Sequence, residues 1–258
     1  MLKAVIKTMA DTGGKVLDSA WGGAESQRVT SSIANDLGIA NKVFWSTGLA
    51  SVVISGSPPP TVAAVRADID AVFESLRVPK IDLVMVAASS PDTLRALPNR
   101  LAGLREARKE GRVRYIGVSS LPTPREKYSE LETVMRNEPL DFIGVPHYHI
   151  AQRWAEETLL PLARERKLGV VVYMPFGLGR LFQRVGSRAL PEWAAEFDAK
   201  TWAQFFLKYL VSHPAVTTVL PGTSSAAHML DNLHGGIGRL PDEATRARMR
   251  ELMDSFPS

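Results

Sequence analysis

The chain contains no cysteine. Disulfides, cysteine nucleophiles and thiolate metal sites are therefore excluded. Long apolar runs are missing as well: no stretch approaches the roughly 18 residues of a membrane span, so no membrane partner is expected. The opening MLKAVIKTMADTGG has a Lys–Thr–Asp face and no small-residue cleavage site, which argues against a signal peptide and for a cytoplasmic protein. Nor is there an excess of one charge. Against 31 Lys and Arg stand 27 Asp and Glu, a formal net charge of +4, and the basic residues are dispersed among the acids. This is no electrostatic footprint for nucleic acid, and none is expected as a partner. Neither a linker nor a composition shift nor a sequence repeat divides the chain. The remainder is ordinary globular composition, 258 residues with 45% apolar and 22% charged, enough for one large core and for a single domain spanning 1–258.

What the chain does have is alternation. The stretch 81–120, IDLVMVAASSPDTLRALPNRLAGLREARKEGRVRYIGVSS, reads as strand, helix, strand. Residues 81–86 form a short Val/Ile-rich run suited to a buried strand. Pro98 can open a helix, where its missing N–H costs nothing, and Gly111 can close it in a left-handed conformation. Residues 114–118 are the next strand. Two buried strands joined by a helix make a parallel, right-handed unit. The same alternation runs through strands at 15–18, 42–47, 142–145, 169–173 and 216–220. Helices separate them at 24–37, 61–76, 124–137, 156–167 and 200–211. A first helix is expected at 2–10, a turn within the long loop 174–191, and closing helices at 225–233 and 242–253. Seven parallel strands with helices outside predict an α/β fold, and at this length a (β/α)8 TIM barrel lacking one recognisable strand. An open barrel edge is a liability, so a homo-oligomer covering it is expected.

In such a barrel the reacting groups sit at the C-terminal ends of strands. Asp18 stands at one of these ends, either facing the pocket or serving as a helix cap or loop ion-pair partner. The richest polar end is Pro146-His147-Tyr148-His149. Histidines two apart on an extended segment point the same way. One of them can act as general acid or base, or one caps a backbone carbonyl while the other is solvated. No spacing supports a metal site, and none is expected. Trp21 and Trp45 either wall an apolar pocket or simply pack.

At these ends the chain resembles the aldo-keto reductase family. The segments that carry the resemblance are KVLDSA…GGAE, IDLVMV, EGRVRYIGVSS, LLPLARERKLGVVVYMPFGLGRL and TWAQFFLKYLVSHPAVTTVLPGTSSAAHMLDNL. They cover nearly the whole length. The resemblance implies a (β/α)8 barrel of the aldo-keto reductase type, NADP(H), and carbonyl reduction by an Asp, Tyr, Lys and His set. Asp18 stands at the family's aspartate. Trp21 occupies the tyrosine slot, Gly48 the lysine position and Ala87 the histidine position, and the family's first barrel strand has no counterpart. On the cofactor side the resemblance implies that Ser119 holds the carboxamide and Tyr173 stacks on the nicotinamide. Residues 221–224 (Pro221, Gly222, Thr223 and Ser224), together with Asp231 and Asn232, match the adenosine-phosphate loop. Gly222 and His228 stand where the family often has lysine and arginine. Since charge-assisted bonds are each worth roughly 1.5–3 kcal/mol, their loss weakens recognition of a 2′-phosphate. Met174 replaces a small polar residue and implies a drier pocket.

From this pattern the expectation is an enzyme of small organic substrates with proton-transfer chemistry of lyase, isomerase or cyclase type. Asp18 with His147 or His149 would serve as acid and base, beside walls from Trp21, Trp45 and Tyr148. Two alternatives stand beside it. One is an NADP(H)-dependent carbonyl oxidoreductase whose proton comes from Tyr148 or a histidine. The other is a catalytically silent binding subunit.

Overall fold

The computed structural model describes residues 1–20, 23–49, 56–88, 90–120 and 128–257. In chain order its first elements are α1 (Leu2–Asp11), β1 (Val16–Asp18), α2 (Gly23–Asp36), β2 (Phe44–Gly48), α3 (Val62–Leu76), β3 (Ile81–Ala87), α4 (Pro91–Lys109), β4 (Val113–Ser119) and α5 (Tyr128–Asn137). There follow β5 (Phe142–Pro146), α6 (Leu159–Arg166), β6 (Gly169–Tyr173), α7 (Arg180–Val185), α8 (Trp202–Val211), β7 (Thr218–Leu220), α9 (Ala226–His234) and α10 (Glu243–Asp254). All seven expected strands are present. The residues group into two units, one of 13–144 with 166–168, the other of 1–12, 145–165 and 169–258.

In the first unit β1, β2, β3, β4 and the start of β5 pair in parallel, each with the next. Register and the two-residue alternation of strands sort the side chains onto two faces. One face turns to the helices: Trp45, Thr47, Val84 and Val86 lie on it, and Gln27 of α2 donates to the Thr47 hydroxyl at 3.0 Å. The other face carries Phe44, Tyr115 and Phe142 near the strand starts, their ring centroids 5.4–6.4 Å apart. Towards the strand ends it carries Asp18, Ser46, Gly48, Ala87, Ser119 and Gly144. Gly117 is required between these layers, because a Cβ there would run into the Met85 side chain and lie 2.9 Å from the Phe142 carbonyl oxygen.

Helix α4 begins seven residues earlier than the sequence suggests. Ser90 caps it, accepting from the N–H of Thr93 at 3.2 Å while the Thr93 hydroxyl accepts from the N–H of Ser90 at 2.9 Å. This capping box and Pro91 at the first position start the helix, and Pro98 sits inside it. Part of the expected helix at 124–137 lies outside the described residues; α5 covers the rest.

In the second unit β6 and β7 pair in parallel. Helix α1 buries Val5, Ile6 and Met9 and packs on α9. Helix α8 is capped by Thr201, whose hydroxyl accepts from the N–H of Gln204 at 3.1 Å. It sets Phe205 and Phe206 in an aromatic cluster with Trp193, Phe197 and Trp202. Between β5 and α6 runs a 3-10 turn, Trp154–Glu156, so the helix expected from residue 156 starts at Leu159. The turn expected inside 174–191 is α7. No helix among the described residues is long and apolar enough to cross a membrane.

Candidate active site

Asp18 ends β1 directly opposite Ser46 of β2. The Ser46 hydroxyl donates to its carboxylate at 2.6 Å and the N–H of Ala20 donates at 3.2 Å. Burial pushes the Asp18 carboxyl above the usual carboxylate range, and these two hydrogen bonds only partly offset it. Among the described residues no Lys, Arg or His pairs with it. Its neighbours on the same face, Gly48, Leu83, Met85, Ala87 and Ser119, are all uncharged, and the Ser119 hydroxyl donates to the Ser120 carbonyl at 3.0 Å. Alternation puts Ser46 on the Asp18 face, since it is one residue from Trp45 and must face the other way.

The same alternation places Trp45. Its ring lies on the helix side of β2, 2% exposed, and its indole N–H donates to the Ala40 carbonyl at 2.9 Å. It packs rather than walling a pocket beside Asp18. Trp21 lies outside the described residues.

In the second unit the end of β5 is not the extended segment expected from its sequence. His147 adopts a left-handed conformation, φ 56°, and His149 pairs antiparallel with Gln152 in a tight bridge. The two imidazoles therefore lack the common direction that an extended strand would give them. Burial and the Arg180 guanidinium hold His147 below its usual range. Burial, with His147, Arg180, Arg184 and Arg153, pushes His149 down to about 4. His149 is thus neutral at pH 7, and its Nδ1 is buried without a hydrogen-bond partner among the described residues. Its ring packs on Gly177, where φ is 56° and a Cβ would fall 2.9 Å from Nε2.

Tyr148 lies between the two histidines in the chain. It is fully buried, and its hydroxyl donates to Glu156 at 2.6 Å. The same carboxylate oxygen accepts from the Tyr209 hydroxyl at 2.7 Å and from Arg246 at 3.0 Å. Burial, with the negative Glu156 beside it, pushes the Tyr148 phenol far up. Nothing in the local sequence signals this hub, because Arg246 lies 90 residues from Glu156.

Tyr173 ends β6, 7% exposed. Met174 follows in a left-handed conformation, φ 54°, and its carbonyl accepts from the N–H of Gly177 at 2.9 Å. After β7 the chain turns into α9. The Thr223 hydroxyl accepts from the N–H of Ser225, and Ser225 caps the helix by accepting from the N–H of His228. Gly222, Ser224 and His228 are exposed, and a Cβ at Gly222 would meet nothing within 4 Å. Asp231 is committed within the fold: both its oxygens accept from the Thr201 hydroxyl, and one also accepts from Gln204 at 2.7 Å. Asn232 is buried beside it in the sequence. No group of three or more His, Asp or Glu side chains suited to a metal ion occurs among the described residues.

Parallel strands alternating with helices, and polar groups gathered at strand ends, define the α/β class whose chemistry is built on the loops after the strands. The chain belongs to the aldo/keto reductase family, whose family model matches residues 2–249. It is 25% identical to a probable aldo-keto reductase 1 of Glycine max, over 87% of this chain and 66% of that protein; it therefore spans just under two thirds of that relative. Among solved structures it resembles the holo form of an aldo-keto reductase from Bacillus halodurans. The TM-score is 0.77 at 20% identity, over 97% of this chain and 86% of the other. It also resembles an aldo/keto reductase from Klebsiella pneumoniae in complex with NADP and acetate. There the TM-score is 0.76 at 20% identity, over 97% and 84% of the two chains. These likenesses show the fold, the barrel type of the aldo-keto reductases.

Proposed function

We propose that this chain is an NADP(H)-dependent oxidoreductase acting on a carbonyl-type double bond of a small organic substrate, with Asp18 as the proton donor. The observation that carries the reading is the family match over residues 2–249. It favours the reductase expectation over lyase, isomerase or cyclase chemistry.

The residues of the cofactor side fit a dinucleotide. Gly222 leaves open space, and the exposed turn 222–224 leads into a nine-residue helix whose first N–H groups form an electropositive end suited to phosphate. Gly222, Thr223, Ser224 and His228 would surround the phosphates, with Asn232 nearby in sequence. Ser119 would hold the carboxamide and Tyr173 would stack on the ring. Asp231 supports this turn indirectly by tying α9 to the start of α8. When bound, NADP(H) supplies the hydride chemistry. The chain's own part is to hold and deliver the proton. Asp18 is suited to it because burial keeps its carboxyl protonated to higher pH than a solvated one, while the Ser46 hydroxyl and the Ala20 N–H fix its orientation. Ala87 and Gly48, on the same face as Asp18, would contribute apolar lining. His147 and His149, both held neutral near pH 7, are better suited to lining than to proton donation.

The test is turnover. NADPH consumption should be seen with members of a panel of small aldehydes, ketones and imines. Conversion of any panel compound without NADPH, by proton transfer alone, would return the lyase or isomerase reading.

A further inference from the structure

The charge at Asp18 narrows the substrate class, an inference that rests on the reductase reading above. Asp18 is a half-buried carboxyl at the end of β1 whose only described partners are the Ser46 hydroxyl and the Ala20 N–H. The residues sharing its face at the strand ends, Gly48, Ala87 and Ser119, are all neutral. No cation among the described residues pairs with it.

Hydride addition to a carbonyl leaves negative charge on oxygen. Beside a carboxyl group that no cation among the described residues compensates, that charge is opposed as soon as the proton has begun to leave Asp18. Hydride addition to a C=N bond has the reverse electrostatics. The nitrogen accepts the proton first, the reacting group becomes a cation, and the resulting carboxylate is its counter-ion. A carboxylate partly withdrawn from water with no described counter-charge is costly, and such a substrate provides that counter-charge itself.

We propose that the substrate reduced at this site is an imine, with Asp18 protonating the nitrogen and then pairing with the iminium ion. The proton moves from the Asp18 carboxyl to the imine nitrogen. The C=N carbon then receives a hydride with its electron pair from the reduced nicotinamide, which is oxidised. The C=N double bond becomes a C–N single bond in an amine, and water reprotonates the Asp18 carboxylate. The recognised chemistry is a small compound formed from a carbonyl and an amine.

Gly48 provides an internal control. A Cβ there would meet nothing nearer than the Ala20 Cβ at 3.5 Å, so Gly48→Lys can place an ammonium group on the same face. That variant should satisfy Asp18 from within the chain and exclude a cationic ligand.

The experiment compares 1-pyrroline with cyclopentanone as NADPH-dependent substrates. It also compares pyrrolidine, charged at neutral pH, with cyclopentanol as ligands read by thermal shift. Wild type should prefer 1-pyrroline by roughly tenfold or more in kcat/KM, and pyrrolidine alone should raise its melting temperature. Asp18→Asn should lose both preferences. Gly48→Lys should lose the pyrrolidine response and shift selectivity towards cyclopentanone. NADPH affinity, measured on every variant, reports that each is folded. Preference for cyclopentanone, or an equal response to pyrrolidine in wild type and Asp18→Asn, overturns the imine assignment while NADPH consumption keeps the reductase reading. If wild type neither binds nor consumes NADPH, the reductase reading fails and the imine assignment with it.

Discussion

A carboxyl group held by one hydroxyl and one amide, and partly removed from water, keeps its proton longer than a solvated one. Asp18 is in that position, and the consequence is a pH dependence. The protonated form is the donor, so reduction should be fast at low pH and fall as pH rises through the elevated Asp18 value. Asp18→Asn should flatten that profile and lower turnover by about a hundredfold or more; an unchanged rate would remove Asp18 from the chemistry. His149 titrates in the opposite sense. Its folded value of about 4 lies below its ordinary 6.5, so the unfolded chain binds the proton more readily between the two. Stability is complete above pH 6.5 and declines as pH falls towards 4, by roughly 3 kcal/mol over that window. Urea midpoints at pH 7 and pH 4.5 should show the decline, and His149→Gln should reduce it. At the α9 turn, the open space at Gly222 permits a lysine. Gly222→Lys combined with His228→Arg should tighten NADPH binding about tenfold or more per added cation, at roughly 1.5–3 kcal/mol each; titration calorimetry measures it, and unchanged affinity would place the 2′-phosphate elsewhere.

At the scale of elements, the Glu156 hub ties the 3-10 turn, the β5 end, α8 and α10 through Tyr148, Tyr209 and Arg246. Arg246 is 2% exposed, so removing its partner leaves a buried guanidinium short of an acceptor. Glu156→Ala should cost about 3–5 kcal/mol in urea unfolding, and a loss below about 1 kcal/mol would show that the hub is dispensable. None of this was legible locally, because the hub joins residues far apart in the chain. The strands were legible for the opposite reason. Parallel strands buried on both faces must be apolar runs, and 81–86 or 169–173 can hardly be read otherwise. The ends were harder. Pro98 looked like a helix start, yet the Ser90–Thr93 capping box seven residues earlier satisfies the free N–H groups and wins. The left-handed backbone at His147 could not be placed from the sequence, since histidine, although it takes that conformation more often than most residues, does so at few of its positions. Of the two readings open for Trp45, alternation favours packing, since it sends the ring to the helix side and Ser46 to Asp18.

The whole molecule combines a family scaffold matched over residues 2–249 with a strand-end face on which Asp18 is the one charged residue among those the strand register places there. The resemblance made the scaffold legible because parallel strand order and the 221–232 segment carry strong spacing. The site was legible only in part: position along a strand gives the face of a side chain, but not which groups meet it. The central claim is that the chain keeps its dinucleotide and moves proton delivery to Asp18. Fluorescence titration with NADPH of wild type and Asp18→Asn, paired with turnover of each, tests that claim most directly. The account predicts saturable binding in the micromolar range for both, with turnover lost only in the variant. Absence of saturation up to millimolar NADPH in the wild type would contradict it.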